Sequence, residues 1–263
     1  MPVQIVRDQY GAHQFAGHLG ITRWQLRVGL EHGILPRPDL DGERWSAALA
    51  DECRGRGRGE QVIAAFGEIP PIGSTKAAIW LAERVGLDVE RRDVEVLAAQ
   101  GELNVISTFR GHPVYLLKDL DRLDPASVRS VVAARKGPLM ETVDAGGAAT
   151  ILGWPRRTFD RIAGERDLPI DRLGRYALAD VQALAADDEL MRGADEEKRR
   201  LALTRTRRSE IRVEDVVRGW ILRCSAYLDG DAEEPPDTGS LNRALRNLTN
   251  IRTELARHDR RAP

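Results

Sequence analysis

Residues 12–35 read AHQFAGHLGITRWQLRVGLEHGIL and residues 145–168 read AGGAATILGWPRRTFDRIAGERDL, and the two stretches align without a gap. Ala16 then meets Ala149, Leu19 meets Leu152, Gly20 meets Gly153, Leu26 meets Phe159, and Leu35-Pro36 meets Leu168-Pro169. A small residue at Ala16 or Ala149 lets a second helix cross the first closely. Glycine at 20 or 153 ends the first helix, because a left-handed backbone costs it little. Thr22 can cap the next helix through its side-chain oxygen, and Pro155 suits a first helical turn at the matching place. Leu26 and Phe159 then point inward. That leaves Arg23, Trp24, Gln25 and Arg27 in one copy, and Arg156, Arg157 and Arg161 in the other, mostly outward.

The segment after each helix pair also repeats. PRPDLDGERW comes after Leu35 and PIDRLGRY after Leu168, each holding a Gly, an Arg and then an aromatic: Gly42, Arg44, Trp45 and Gly174, Arg175, Tyr176. A short hairpin with glycine at its tip and an aromatic packing back on the helices fits this order. New helical stretches begin at Ser46 to Glu52 and Leu178 to Ala186. Residues 76–103 give a looser middle copy, with an Ala-rich helix, a break at Gly86 and a second helix ending near Gly101. Its hairpin is NVISTFRGHPVYLL, with Gly111 at the tip and Tyr115 in the aromatic place. The second helix of this copy carries Asp88, Glu90, Asp93 and Glu95 beside Arg91 and Arg92. Carboxylates there would oppose phosphates, so the middle copy reads as a spacer or protein-contact module.

The string Ala16 to Arg23, A-x-x-L-G-I-T-R, followed by a Gly-tipped hairpin, resembles the MerR and excisionase group of winged helix-turn-helix domains; ATILGWPRRTF in the third copy resembles the same group. The resemblance implies a second helix that enters the DNA major groove and a wing that reaches flanking phosphates or the minor groove. Carried across, Arg23, Trp24, Gln25 and Arg27 lie on one reading helix with Arg44 on its wing. Arg156, Arg157, Arg161 and Arg175 do the same in the third copy. The chain departs from MerR regulators in repeating the module and in lacking a cysteine cluster for metal sensing. The fold class expected is mainly α, with three tandem winged helix-turn-helix modules bearing short β-hairpin wings, followed by a C-terminal helical pair.

The expected boundaries are 1–66, 67–137, 138–192 and 193–263. Pro70-Pro71 and Lys136-Gly137-Pro138 mark breaks between copies, with a short helix near residues 125–134. Arg54-Gly55-Arg56-Gly57-Arg58 has the core spacing of an AT-hook but lacks its flanking prolines, and a glycine-weakened helix or linker is the favoured reading. Past residue 190, Val213, Val216, Val217, Trp220, Ile221, Cys224 and Leu228 recur at helical spacing. A second stripe, Leu241, Leu245, Leu248, Ile251 and Leu255, follows Ser240. The two helices either pair with each other or close a homodimer. The basic cluster from Lys198 to Arg208 adds phosphate contacts or forms a solvated face.

Composition limits the function. Basic and acidic residues nearly cancel, 40 against 41, which argues against coating DNA by charge alone. Cys53 and Cys224 have no companions at zinc-ligand spacing, and no disulfide framework is expected. His13, His18, His32, His112 and His258 form no metal-ligand pattern with carboxylates. Gly73-Ser74-Thr75-Lys76 has the residue types of a phosphate loop without its spacing and reads as a helix cap. No signal peptide or membrane-length apolar run is seen. The chain is therefore expected to be a cytoplasmic, nucleoid-associated protein without enzyme activity, cofactor or metal. Its expected partner is double-stranded DNA, read by modules 1 and 3, as a transcription regulator or a recombination or segregation accessory factor. The alternative is a non-catalytic adaptor whose modules bind protein.

Overall fold

The computed structural model describes residues 8–259 and is mainly helical with small antiparallel sheets. Residues 1–7 and 260–263, which begin the first expected region and end the last, lie outside the described residues. In chain order the first segment is β1 (Gln9–Tyr10), α1 (Ala12–His18), α2 (Arg23–Glu31), β2 (Trp45–Ser46), α3 (Ala47–Gly55) and α4 (Arg58–Phe66). The next is β3 (Ile72–Gly73), α5 (Ser74–Val85), α6 (Arg91–Ala99), β4 (Ser107–Phe109), β5 (His112–Tyr115), α7 (Leu117–Arg122) and α8 (Pro125–Lys136). Then come β6 (Thr142–Val143), α9 (Ala145–Ile151), α10 (Arg156–Glu165), β7 (Tyr176–Ala177) and α11 (Leu178–Ala185). Two long helices close the chain, α12 (Asp188–Leu228) and α13 (Thr238–Asp259).

The order strand, helix, helix, strand, helix thus recurs in all three segments. The strand in front of each first helix was not legible in the sequence. β1 pairs antiparallel with β2 (Tyr10 opposite Trp45), β3 with β5 (Ile72 opposite Tyr115), and β6 with β7 (Val143 opposite Tyr176). The hairpins differ in extent. β4 and β5 form a full ladder, whereas the other two close through single bridges, Leu40 to Arg44 and Ile170 to Tyr176.

Contacts divide the described residues into two compact units, residues 8–153 with 167–182, and residues 154–166 with 183–259. The expected boundaries at 66/67 and 137/138 both fall inside the first unit, and α12 begins five residues before the expected boundary at 193.

In the first unit, local chemistry sets the helix ends. Gly20 stands at φ +71° and Gly153 at φ +64°, the left-handed conformation that ends both first helices. Thr22 caps α2 reciprocally: its N–H donates to Gln25 Oε1 (2.8 Å), and the Gln25 N–H donates back to Thr22 Oγ1 (3.4 Å). Phe15, Leu26, Val28, Leu35 and Trp45 are buried together, with Phe15 and Trp45 stacked at 4.4 Å between centroids.

The arginine-glycine run forms a tight corner between two helices, with Gly57 left-handed at the start of α4. α4 is ordered because Val62 and Phe66 enter the core. Burying each contributes about 1.5–3 kcal/mol, more than the roughly 0.5–1 kcal/mol that a helical glycine costs. Gly59 is required by packing: a Cβ there would stand 2.2 Å from the Leu19 carbonyl oxygen.

The acidic residues of the middle segment do not form an open acidic face. Asp93 is buried and accepts from Arg135 Nε at 2.8 Å, while Glu90 accepts from Arg135 Nη1 at 2.7 Å. Asp88 lies 3.3 Å from Lys136, and Glu95 pairs with Arg91. Burial opposes the charge on Arg135, but the hydrogen bond and charge of Asp93, then Glu90 and Asp88, outweigh it and raise its pKa.

In the second unit, α12 is 41 residues long, about 60 Å at an α-helical rise. Asp187 caps it by accepting from the Leu190 N–H at 3.0 Å. α13 folds back along it. Arg252 bridges Glu210 and Glu214, and Trp220 Nε1–H donates to the Asp237 carbonyl at 3.0 Å. The half-buried Val213, Val217, Trp220 and Cys224 share one face of α12, and Ala244 and Leu248 are buried on α13. The two helices expected at this end therefore pack with each other. Among the described residues no helix is long and apolar enough to cross a membrane.

Candidate nucleic-acid interface

The first and middle segments meet along α2. Arg27 Nη1–H donates to the Thr108 carbonyl on β4 at 2.9 Å, and His32 Nε2–H donates to the Ile106 carbonyl at 2.7 Å. Leu116, just after β5, is part of the first segment's core. These contacts hold the β4–β5 hairpin beside α2 and leave a groove of about 910 Å³ between them.

Its floor is apolar, with Leu26, Leu30, Trp24 and Phe109 among the lining side chains. Its polar lining holds four cations, Arg23 and Arg27 from α2, Lys76 from the first turn of α5 and Arg110 from the hairpin tip, with the His112 imidazole beside them. No carboxylate lines it, and among the described residues none pairs with Arg23, Lys76 or Arg110. Arg23, Lys76, Arg110 and His112 are all exposed.

Arg110 occupies the hairpin tip at φ +52°, next to Gly111 at φ +78°. A two-residue turn with both φ positive favours Asn-Gly or Gly-Gly, and a β-carbon in the left-handed region costs about 1–2 kcal/mol. The chain holds an arginine there all the same, with its guanidinium 5.5 Å from the Phe109 ring centre. Arg27 approaches the same ring at 5.8 Å.

No family model, curated protein or solved structure matches the chain.

The residues expected to read DNA fall into different settings. Arg23 is exposed on α2, and Trp24 is half-buried against the first segment's core. Arg27 reaches the groove but is anchored to the hairpin. Gln25, expected outward, is buried: it completes the Thr22 cap and its Nε2–H donates to the Gly67 carbonyl at 2.7 Å. Helical spacing put it near the outward arc, and α4 and its following turn cover that position. Arg44 is exposed at the first hairpin.

In the third segment, Arg175 donates to Thr142 Oγ1 at 2.9 Å and so braces the strand pair. Arg156 is paired with Asp160 at 2.8 Å. Arg161 binds Glu165 and Glu197, at 2.9 and 3.0 Å, and those two hydrogen bonds, Glu165's first, raise its pKa. Arg157 is exposed. The groove therefore gathers Arg23, Trp24 and Arg27 but none of the third segment's arginines. It adds Lys76, Arg110 and His112, which sequence reasoning did not select. The available signal was Phe109-Arg110-Gly111-His112, where an arginine stands at a turn position that favours Asn or Gly.

Proposed function

We propose that this chain is a non-catalytic, sequence-specific double-stranded DNA-binding protein. On this reading it is built from three tandem winged helix-turn-helix modules and works in the cytoplasm, on the nucleoid, as a transcription regulator or a recombination or segregation accessory factor. The observation that supports the reading is the carboxylate-free cationic groove between α2 and the β4–β5 hairpin. Its charges come from three elements and converge on one face, the arrangement that phosphates recruit. Arg23 and Trp24 would approach base edges, while Lys76, Arg110 and Arg44 would hold phosphates and fix the register. The reading face thus combines the first module's helix with the second module's wing, in place of modules 1 and 3. The C-terminal helices would bring two copies together as a homodimer.

A protein-binding role suits the third segment, where Arg156 and Arg161 are already engaged by carboxylates. A gel-shift titration on genomic fragments across a salt series tests the main reading. The wild type should bind few fragments tightly. The triple variant Arg23→Ala, Lys76→Ala, Arg110→Ala should lower the slope of log affinity against log salt by about 2, for the phosphate contacts of Lys76 and Arg110, and lower affinity further through the lost Arg23 base contact. Unchanged binding by a well-folded triple variant would overturn it.

A further inference from the structure

The face of α12 turned away from α13 is written so that it matches its own reverse. Val213, Val217, Trp220 and Cys224 lie toward α13. On the opposite side, at alternating spacings of four and three residues, come Thr204, Arg208, Ile211, Asp215, Arg218, Leu222, Ser225 and Asp229. That is the seam spacing of a coiled coil. Every one of these residues is exposed, and the two apolar ones strongly so: Ile211 at 58% and Leu222 at 71%. α13 cannot cover them, because its contacts, including Arg252 to Glu210 and Glu214, lie on the other side of the helix.

We propose that a second copy of this chain packs antiparallel on this face, about a two-fold axis between Val216 and Val217. The inference rests on the reading that the chain forms a homodimer through its C-terminal helices, and it assigns the surface. An isologous contact requires a self-complementary patch, and this seam supplies one. About that axis Ile211 faces Leu222 of the second copy and Leu222 faces its Ile211, so both exposed apolar side chains are covered. Asp215 faces Arg218, and Arg218 faces Asp215, giving opposite charges twice beside the axis. Thr204 falls opposite Asp229.

The charge pattern farther out follows the same register. The connector after α12 carries Asp229, Asp231, Glu233 and Glu234 and no basic residue, while Arg199, Arg200, Arg205, Arg207 and Arg208 crowd the helix upstream. The axis places each copy's acidic connector beside the other's arginine-rich stretch. A parallel pairing would instead set Arg218 against Arg218 and acidic connector against acidic connector. It is disfavoured by the charges that favour the antiparallel one.

The test is a charge swap read by sedimentation equilibrium on the full chain. Arg218→Asp sets two aspartates against each other on both sides of the axis, and Asp215→Arg sets two arginines. Each should weaken dimerisation about tenfold or more. The double variant Asp215→Arg, Arg218→Asp restores both pairs in the reversed sense and should recover the wild-type association. Circular dichroism monitors whether α12 remains helical in each variant. A wild-type dimer indifferent to all three substitutions would overturn this surface and leave dimerisation through another part of the C-terminal helices standing. A wild type that is monomeric throughout the titration would overturn the homodimer itself. The DNA reading is judged separately by the gel shift.

Discussion

Arg27, on the second helix of the first segment, donates a 2.9 Å hydrogen bond to the backbone carbonyl of Thr108, 81 positions later on the middle segment's hairpin. The same guanidinium lies 5.8 Å from the Phe109 ring centre. With the His32 bond to the Ile106 carbonyl, this arginine holds the hairpin against α2 beside the groove whose cations define the proposed DNA face. Arg27→Ala should cost about 0.5–1.5 kcal/mol of stability for the lost hydrogen bond, measured by denaturant unfolding. DNA affinity should fall even where the variant is fully folded, because the hairpin loses its register against α2. Arg27→Lys should recover little, since an ammonium lacks the planar fork and stacking surface. Intact affinity in Arg27→Ala would show that the hairpin's position does not matter to binding.

Arg110 predicts opposite effects on stability and binding. Arg110→Asn places a residue suited to a positive φ at the hairpin tip, and stability should rise by up to about 1 kcal/mol as left-handed strain is relieved. The lost cation should weaken DNA binding and lower the salt slope by about 1. Thermal unfolding and gel shifts on the same preparation separate the two effects. A variant that is both more stable and equally tight in binding would remove Arg110 from the proposed interface.

The corner between α3 and α4 yields a packing test. Gly59→Ala must displace the Leu19 carbonyl, because the added Cβ would lie 2.2 Å from its oxygen. Overpacking of this kind costs about 1–3 kcal/mol, occasionally more. Gly55→Ala is the matched control, with nothing within 4 Å of its added Cβ. It should be neutral or slightly stabilising. Equal urea midpoints for the two variants would contradict this close approach.

Asp93 and Arg135 form the most enclosed ion pair of the middle segment, with side chains 2% and 15% exposed. Arg135→Met leaves the buried Asp93 without its guanidinium partner and with only the Glu90 backbone N–H at 2.8 Å, which should destabilise the protein by about 3–5 kcal/mol. Replacing both, Asp93→Leu with Arg135→Met, should recover a large part of that loss, and a double-mutant cycle measures it.

Acid should loosen α12 from its first turn. The Asp187 carboxylate is held below the usual aspartate range by the Leu190 backbone N–H first and by the Arg166 side chain second. A depressed carboxyl stabilises the fold at pH above its unfolded value, about 3.9. That contribution is lost as the pH falls through the lower folded value. Helical circular dichroism followed downward from about pH 6 should show this loss in the wild type. It should be reduced in Asp187→Asn, which keeps a capping oxygen but cannot protonate there. Superimposable acid profiles would exclude Asp187 as a contributor.

Signals that act within a few residues are legible in the sequence itself. Gly20 and Gly153 end helices because of their own φ, Thr22 caps α2 through an atom three residues from its donor, and the stripes on α12 and α13 follow from helical period. The repeat of 12–35 in 145–168 therefore revealed the element order. The leading strands β1, β3 and β6 were not readable: each is two residues long and exists only through a partner strand more than thirty residues away. The roles of individual charges were decided in tertiary structure for the same reason. Asp93 looked like an obstacle to phosphate until Arg135 was placed beside it, and Gln25 looked like a reader until Gly67 took its amide. Arg110 and Lys76, far apart in the chain, became one cationic groove with Arg23 because the middle hairpin docks on α2. Backbone conformation is set largely by near neighbours, whereas the partner of a side chain depends on which surfaces the fold brings into contact.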